Sequence, residues 1–205
     1  SASIEAAQLN VHPGFQGFLG SDAHDDLAII DLAEAVPAGT PTYQIRMQPL
    51  GNGERMELVG YGQSGDGDTG YTIDPSYSVK RSGANAADLF LAKQDVLEAP
   101  DTIYLFDFDG EITEGYLGSG TLGNDIETTV GGGDSGGPSF ADVGDSKQIV
   151  GVNTFTFALE FSAAAGHFGS MGGGIVIAPY LDWISSIAPD AIASNNAPSF
   201  TPGED

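Results

Sequence analysis

The chain has no cysteine. That excludes disulfide staples and thiolate metal sites. Basic residues are scarce, with 6 Lys and Arg against 29 Asp and Glu, a formal net charge of −23. Nucleic acid is thereby excluded as a partner, because phosphate neutralisation needs clustered cations. An anionic membrane surface is disfavoured for the same reason. No apolar run reaches the roughly 18 residues that a membrane-spanning helix needs. No signal peptide is visible, as expected of a mature secreted chain. Histidine is rare too, at 3 residues, which leaves few candidates for a general base.

What the chain has in excess is acid. A large charge of one sign favours solubility and opposes compaction by self-repulsion. Salt or bound divalent cations relieve that repulsion. A secreted, extracellular bacterial protein fits both the charge and the missing cysteines. The 205 residues suffice for one or two domains with a sizeable core.

Glycine is frequent, at 30 residues, and turn signals recur throughout. Between them lie short runs rich in Val, Ile, Phe, Tyr and Thr: Tyr43–Met47, Met56–Tyr61, Leu89–Leu91, Thr102–Phe108, Gln148–Phe157 and Gly174–Ile177. This pattern predicts an all-β sandwich or barrel. One late segment differs. Tyr180, Trp183, Ile184 and Ile187 share one face at helical spacing, with Pro179 at the start, so a C-terminal amphipathic helix is expected on a β-barrel. Residues 191–205 read as a polar tail or linker.

The run Gly131-Gly132-Gly133-Asp134-Ser135-Gly136-Gly137-Pro138 concentrates the chemistry. Glycines let the backbone turn tightly and aim N–H groups at a developing negative charge. Ser135 in such a turn is a candidate nucleophile, and the Gly133 and Ser135 N–H groups form a candidate oxyanion hole. Upstream, Asp26 opens the apolar run Leu27-Ala28-Ile29-Ile30. A carboxylate at the lip of a buried strand can accept an imidazole N–H, as the orienting acid of a triad must. Asp25 is its rival.

The stretch Gly133–Pro138 resembles, at every position, the nucleophile motif of the chymotrypsin/trypsin family of serine proteases. Five further landmarks follow the family order. Val11-His12-Pro13-Gly14-Phe15 resembles the His-Pro turn before the triad aspartate, and Asp26–Leu32 resembles the aspartate with its strand. Gly60-Tyr61-Gly62 resembles the opening of the second barrel. Gly151–Thr156 resembles the substrate-binding strand, and Tyr180-x-x-Trp183-Ile184 the terminal helix. The resemblance implies a chymotrypsin-like double β-barrel. Residues 1–50 would be the C-terminal part of the first barrel, and residues 51–190 the second barrel with its helix. The implied activity is a Ser-His-Asp endopeptidase acting on polypeptides, with Ser135 and Asp26 catalytic. Asp134 would be the residue that pairs with the N-terminal ammonium formed on activation. Thr129 would form the base of the specificity pocket, Thr156 and Gly172 its walls, and Thr154, Phe155 and Thr156 the substrate strand. A neutral, rather small pocket is expected, although Glu127 or Asp125 could reach in and restore a basic preference.

One family element has no counterpart. The segment bearing the general-base histidine lies well before the triad aspartate in the family, and nothing here matches it. His12, His24 and His167 replace it poorly. The expectation is an N-terminal companion segment that carries the histidine and completes the first barrel. Alone, the partial barrel should show open edges and an uncovered apolar face. The alternative is an inactive protease-fold protein that binds peptides or serves as a scaffold. No cofactor is required for such chemistry. Asp107, Asp109 and Glu111, spaced at alternate positions around Gly110, could hold structural calcium, or form a solvated turn.

Overall fold

The computed structural model describes residues 3–17, 23–93, 97–111, 115–118, 120–158 and 164–193. Residues 194–205 of the expected tail lie outside them. Among the described residues, twelve strands and two short α-helices run in the order β1 (Ala6–Val11), β2 (Ala28–Leu32), β3 (Gln44–Ile45), β4 (Glu54–Gly60), β5 (Ser64–Asp66), β6 (Gly70–Ile73), β7 (Arg81–Ala87), β8 (Leu89–Ala92), β9 (Asp101–Asp107), β10 (Pro138–Val143), β11 (Ser146–Phe157), β12 (Met171–Val176), α1 (Leu181–Ile187) and α2 (Pro189–Ala193), with a 3-10 turn (Ala178–Tyr180) before α1. Each apolar run expected to be extended lies wholly or partly on a strand. The expected helical face forms as well, with Tyr180 and Ile184 buried and Trp183 packed beside them.

The main sheet follows the order β7-β4-β10-β11-β12-β9-β8, with β3 alongside β11. Its two outer strands are consecutive in the chain and separated by Asp88 alone. The Asp88 N–H donates to the Leu105 carbonyl at 2.9 Å, and the Asn85 side chain of β7 reaches the Asp107 carbonyl of β9 at 2.8 Å. The sheet therefore curls round to meet itself as a barrel.

Strand β9 shows why polar alternation is missing from its sequence. Tyr104 and Phe106 face the barrel interior with Met56, Leu58, Val130 and Val150. Ile103 and Leu105 face outward, into a second cluster with Leu27, Ile175, Ile177, Tyr180 and Ile184. Both faces are covered, so both are apolar. Burying each such side chain stabilises the fold by about 1.5–3 kcal/mol.

Strands β1 and β2 form a separate antiparallel pair, with Leu9 opposite Ile30 and Val11 opposite Ala28. Ile29 packs inward against the helix cluster. Leu9 (61%), Val11 (50%) and Ile30 (57%) are exposed on the other face. These side chains leave an apolar face of the β1–β2 pair uncovered among the described residues.

Candidate active site

The loop that carries Ser135, the candidate nucleophile, is built from short-range hydrogen bonds. The Asp134 N–H donates to Gly131 O at 3.0 Å and the Gly137 N–H to Asp134 O at 2.9 Å. Gly133 has φ +100°, a left-handed conformation that glycine adopts without a Cβ penalty. Two longer-range bonds dock the loop on β11: Gly136 N–H to Asn153 O at 2.9 Å and Asn153 N–H to Gly137 O at 2.8 Å. Ser135 is exposed at the crest, and its Oγ donates to the Thr154 carbonyl at 3.2 Å. Among the described residues, neither the Gly133 nor the Ser135 N–H has a hydrogen-bond partner.

Asp134 points away from the crest and braces the loop. Its carboxylate accepts the Gly62 N–H at 2.7 Å and the Gly131 N–H at 2.8 Å. This contact explains the Gly-Tyr-Gly sequence of β4's end, since a Cβ at Gly62 would lie 2.6 Å from the Asp134 carboxyl carbon. Asp134 also lines a cavity with Tyr71, Arg81, Thr129 and Val130.

The two adjacent acids differ sharply. Asp25 is buried and engaged: Lys93 forms an ion pair with it, the Tyr180 hydroxyl donates to it at 2.9 Å, and His12 Nδ1 lies 3.7 Å away. Burial alone would raise its carboxyl, but Lys93, Tyr180 and His12 outweigh burial and hold it below the usual range. Asp26 is half-buried, and among the described residues no donor reaches its carboxylate. Burial pushes its pKa up.

All three histidines are engaged elsewhere than at Ser135. His12 stacks edge-on against Tyr180 and Trp183, at 5.0 and 4.9 Å between centroids. Its Nδ1 accepts the Gly14 N–H at 3.2 Å. His24 Nδ1 meets Thr102 Oγ1 at 2.5 Å, and His167 sits against Gly70.

The expected pocket residues come together. Thr156 and Gly172 are cross-strand partners, and the Thr156 hydroxyl donates to Met171 O at 2.9 Å. A Cβ at Gly172 would lie 2.5 Å from Phe106 and 3.3 Å from Thr129 Oγ1. Strand β10 pairs with β11 only as far as Val152. The edge of β11 at Thr154, Phe155 and Thr156 is thus left without β10 as a neighbour. Phe155 itself packs toward the helix cluster.

One functional element escapes the sequence. Buried Asn153 accepts the Ser139 hydroxyl at 2.7 Å and the Tyr104 hydroxyl at 3.4 Å, while its Nδ2 donates to Val59 O at 3.3 Å. This network underlies the nucleophile loop. Its only sequence signal is a polar residue inside an apolar strand.

The acidic cluster is rearranged relative to expectation. Asp107 and Asp109 are buried side by side, but Glu111 is exposed. Glu127 and Asp88 take its place beside them, both buried. Burial first, then the charges of Asp107, Glu127 and Asp88, pushes the Asp109 pKa up to about 7. Among the described residues, no group of three or more His, Asp or Glu is drawn together tightly enough to hold a metal ion unaided.

The strand order, the barrel closure and the docked C-terminal helix define a chymotrypsin-like fold. Among solved structures the chain is similar to mouse neuropsin, a serine protease expressed in the limbic system of the brain. The TM-score is 0.59 at 16% identity, covering 89% of this chain and 70% of that one. No protein-family model matches the sequence, and no curated protein does. A likeness at this identity establishes the protease fold; the chemistry has to be argued from the site.

Proposed function

We propose that this chain is the serine-bearing part of a secreted serine endopeptidase whose general-base histidine is supplied by an N-terminal segment. The observation that carries this reading is the loop of Ser135: an exposed serine flanked by two N–H groups that have no partner among the described residues, on a loop braced from behind by Asp134. Ser135 Oγ turns from the Thr154 carbonyl and attacks the scissile carbonyl. Its proton passes to the incoming imidazole, and the tetrahedral oxyanion is held by the Gly133 and Ser135 N–H groups. The same imidazole returns the proton to the leaving amine, and water then hydrolyses the acyl-enzyme. Asp26, whose carboxylate meets no donor among the described residues, is suited to accept the other imidazole N–H. Thr154, Phe155 and Thr156 offer a strand edge for the substrate backbone. Thr129, Thr156 and Gly172 make a neutral pocket for small apolar or polar side chains. The histidine segment would cover Leu9, Val11 and Ile30 as it completes the first barrel.

The test is reaction of the native protein with a fluorophosphonate, followed by denaturing intact-mass analysis. The expected result is one adduct on Ser135, absent from Ser135→Ala, together with a second histidine-bearing chain. A single unreactive chain would instead support the second reading, a peptide-binding protein on a protease fold. The three engaged histidines are the observation that keeps that reading open.

A further inference from the structure

The β5–β6 hairpin brings to the candidate pocket an aromatic side chain that no sequence motif marks. Tyr71 of β6 stands opposite Gly65 of β5, and this pairing sets its ring between two loops. On one side lies Gly131 of the Ser135 loop, where an added Cβ would come within 3.1 Å of the ring. On the other lies Gly166, in the loop before β12, where a Cβ would come within 2.7 Å of it. Gly166 is buried with φ +86°. Glycine there both permits the backbone and admits the ring.

The hydroxyl is held as well as the ring. It donates to the Val130 carbonyl at 2.5 Å, and the Thr156 side chain lies within hydrogen-bond reach of it. Burial raises the pKa of the phenol, so the donated proton stays in place at neutral pH. Val130 follows Thr129, the expected base of the pocket, and Thr156 is an expected wall. Tyr71 therefore touches both sides of the pocket from a third direction. It also lines a cavity of about 210 Å³ with Arg81, Thr129, Val130 and Asp134, whose lining includes neither Thr156 nor Gly172. The ring is thus a partition between that cavity and the pocket.

We propose that Tyr71 is a specificity-determining residue of the candidate active site, closing the pocket of Thr129, Thr156 and Gly172 so that it admits a side chain as small as that of Ala and turns away that of Phe. The proposal deepens the protease reading of Ser135 and rests on it. Phe106 closes the pocket at Gly172, where a Cβ would meet its ring at 2.5 Å. Tyr71 is the boundary with empty space behind it. Truncating its side chain would join pocket and cavity and make room for a larger residue.

The experiment uses the native protein and three acetylated tetrapeptides that end in Ala, Leu or Phe. The Gly133 and Ser135 N–H groups can hold the terminal carboxylate, which seats the last side chain in the pocket. Affinity is read by titration calorimetry, so turnover plays no part. An absent fluorophosphonate adduct would sink the protease reading and leave the preference measurable. The wild type should bind the Ala peptide roughly tenfold or more tighter than the Phe peptide. In Tyr71→Ala that ratio should fall by about tenfold or invert. Tyr77→Ala, at a 98% exposed side chain just beyond the hairpin, should keep the wild-type order. Where Tyr71→Ala does not fold, Tyr71→Leu takes its place and should shift the preference toward the Leu peptide. Four outcomes would overturn the proposal. They are no binding of any peptide, equal wild-type affinity for Ala and Phe, an unchanged order in the Tyr71 variant, or an equal change in Tyr77→Ala.

Discussion

The Tyr180 hydroxyl, at the head of the C-terminal helix, donates to the Asp25 carboxylate 155 residues away at 2.9 Å and accepts the Asp25 N–H at 3.1 Å. Asp25 has φ 62°, a conformation that a non-glycine residue adopts only when its surroundings enforce it. The pair ties the helix to the turn that presents Asp26.

Asp25→Asn should therefore destabilise the fold by about 2 kcal/mol. That is below the roughly 3–5 kcal/mol typical of a broken buried pair, because the partner Lys93 side chain is 34% exposed. The pH dependence follows from the depressed carboxyl. Below about pH 4 the unfolded chain takes up the proton before the folded one does. This contribution is full above that pH and is lost as pH falls through the native value. Urea unfolding of both proteins from pH 6 to pH 2.5 should show their difference shrinking toward acid.

Asn153→Ala would remove the buried acceptor of the Ser139 hydroxyl, leaving Ser139 bonded only to the Tyr104 hydroxyl at 2.6 Å, and would free the Val59 carbonyl of its donor. A loss of about 2–3 kcal/mol is expected, against about 1 kcal/mol for Tyr104→Phe. A double-mutant cycle measures the coupling. Strict additivity would show that the network does not act as a unit.

Thr129→Val should be neutral or stabilising by up to about 1 kcal/mol, because Thr129 Oγ1 is buried with no hydrogen-bond partner among the described residues. Equilibrium denaturation checks this. A clear loss of stability would mean that the hydroxyl is satisfied in solution.

Leu9→Thr combined with Ile30→Thr should change stability by no more than about 0.5 kcal/mol, since both side chains are exposed. Binding of a hydrophobic dye should fall by about half as the apolar patch is broken. Undiminished dye binding would place the exposed apolar surface elsewhere.

Much of the architecture is legible in the sequence. The strands of the second barrel announce themselves as short β-branched and aromatic runs, and the helix as a four-residue apolar face. Strands β5, β6, β7 and β10 do not. β7 reads Arg-Ser-Gly-Ala-Asn-Ala-Ala, whose small side chains carry no strand preference and become extended only because β4 pairs along their whole length. The proximity of Thr129, Thr156 and Gly172 agrees with what the motif resemblance implies. The buried acid cluster is only half legible: Asp107 and Asp109 stand close in sequence, while Glu127 comes from a separate loop.

The sequence by itself determined the β class, the acidic surface and the glycine-rich turn that carries Ser135. Each depends on composition or on turn chemistry confined to a few neighbouring residues. Only the tertiary structure decided that Asp25 is spent on Lys93 and Tyr180 while no donor among the described residues reaches Asp26, and that Glu127 rather than Glu111 joins the buried acids. It also decided that Asn153 anchors the loop beneath Ser135. These outcomes depend on which distant groups burial brings within hydrogen-bond reach, and adjacent residues of identical chemistry, such as Asp25 and Asp26, differ in nothing else.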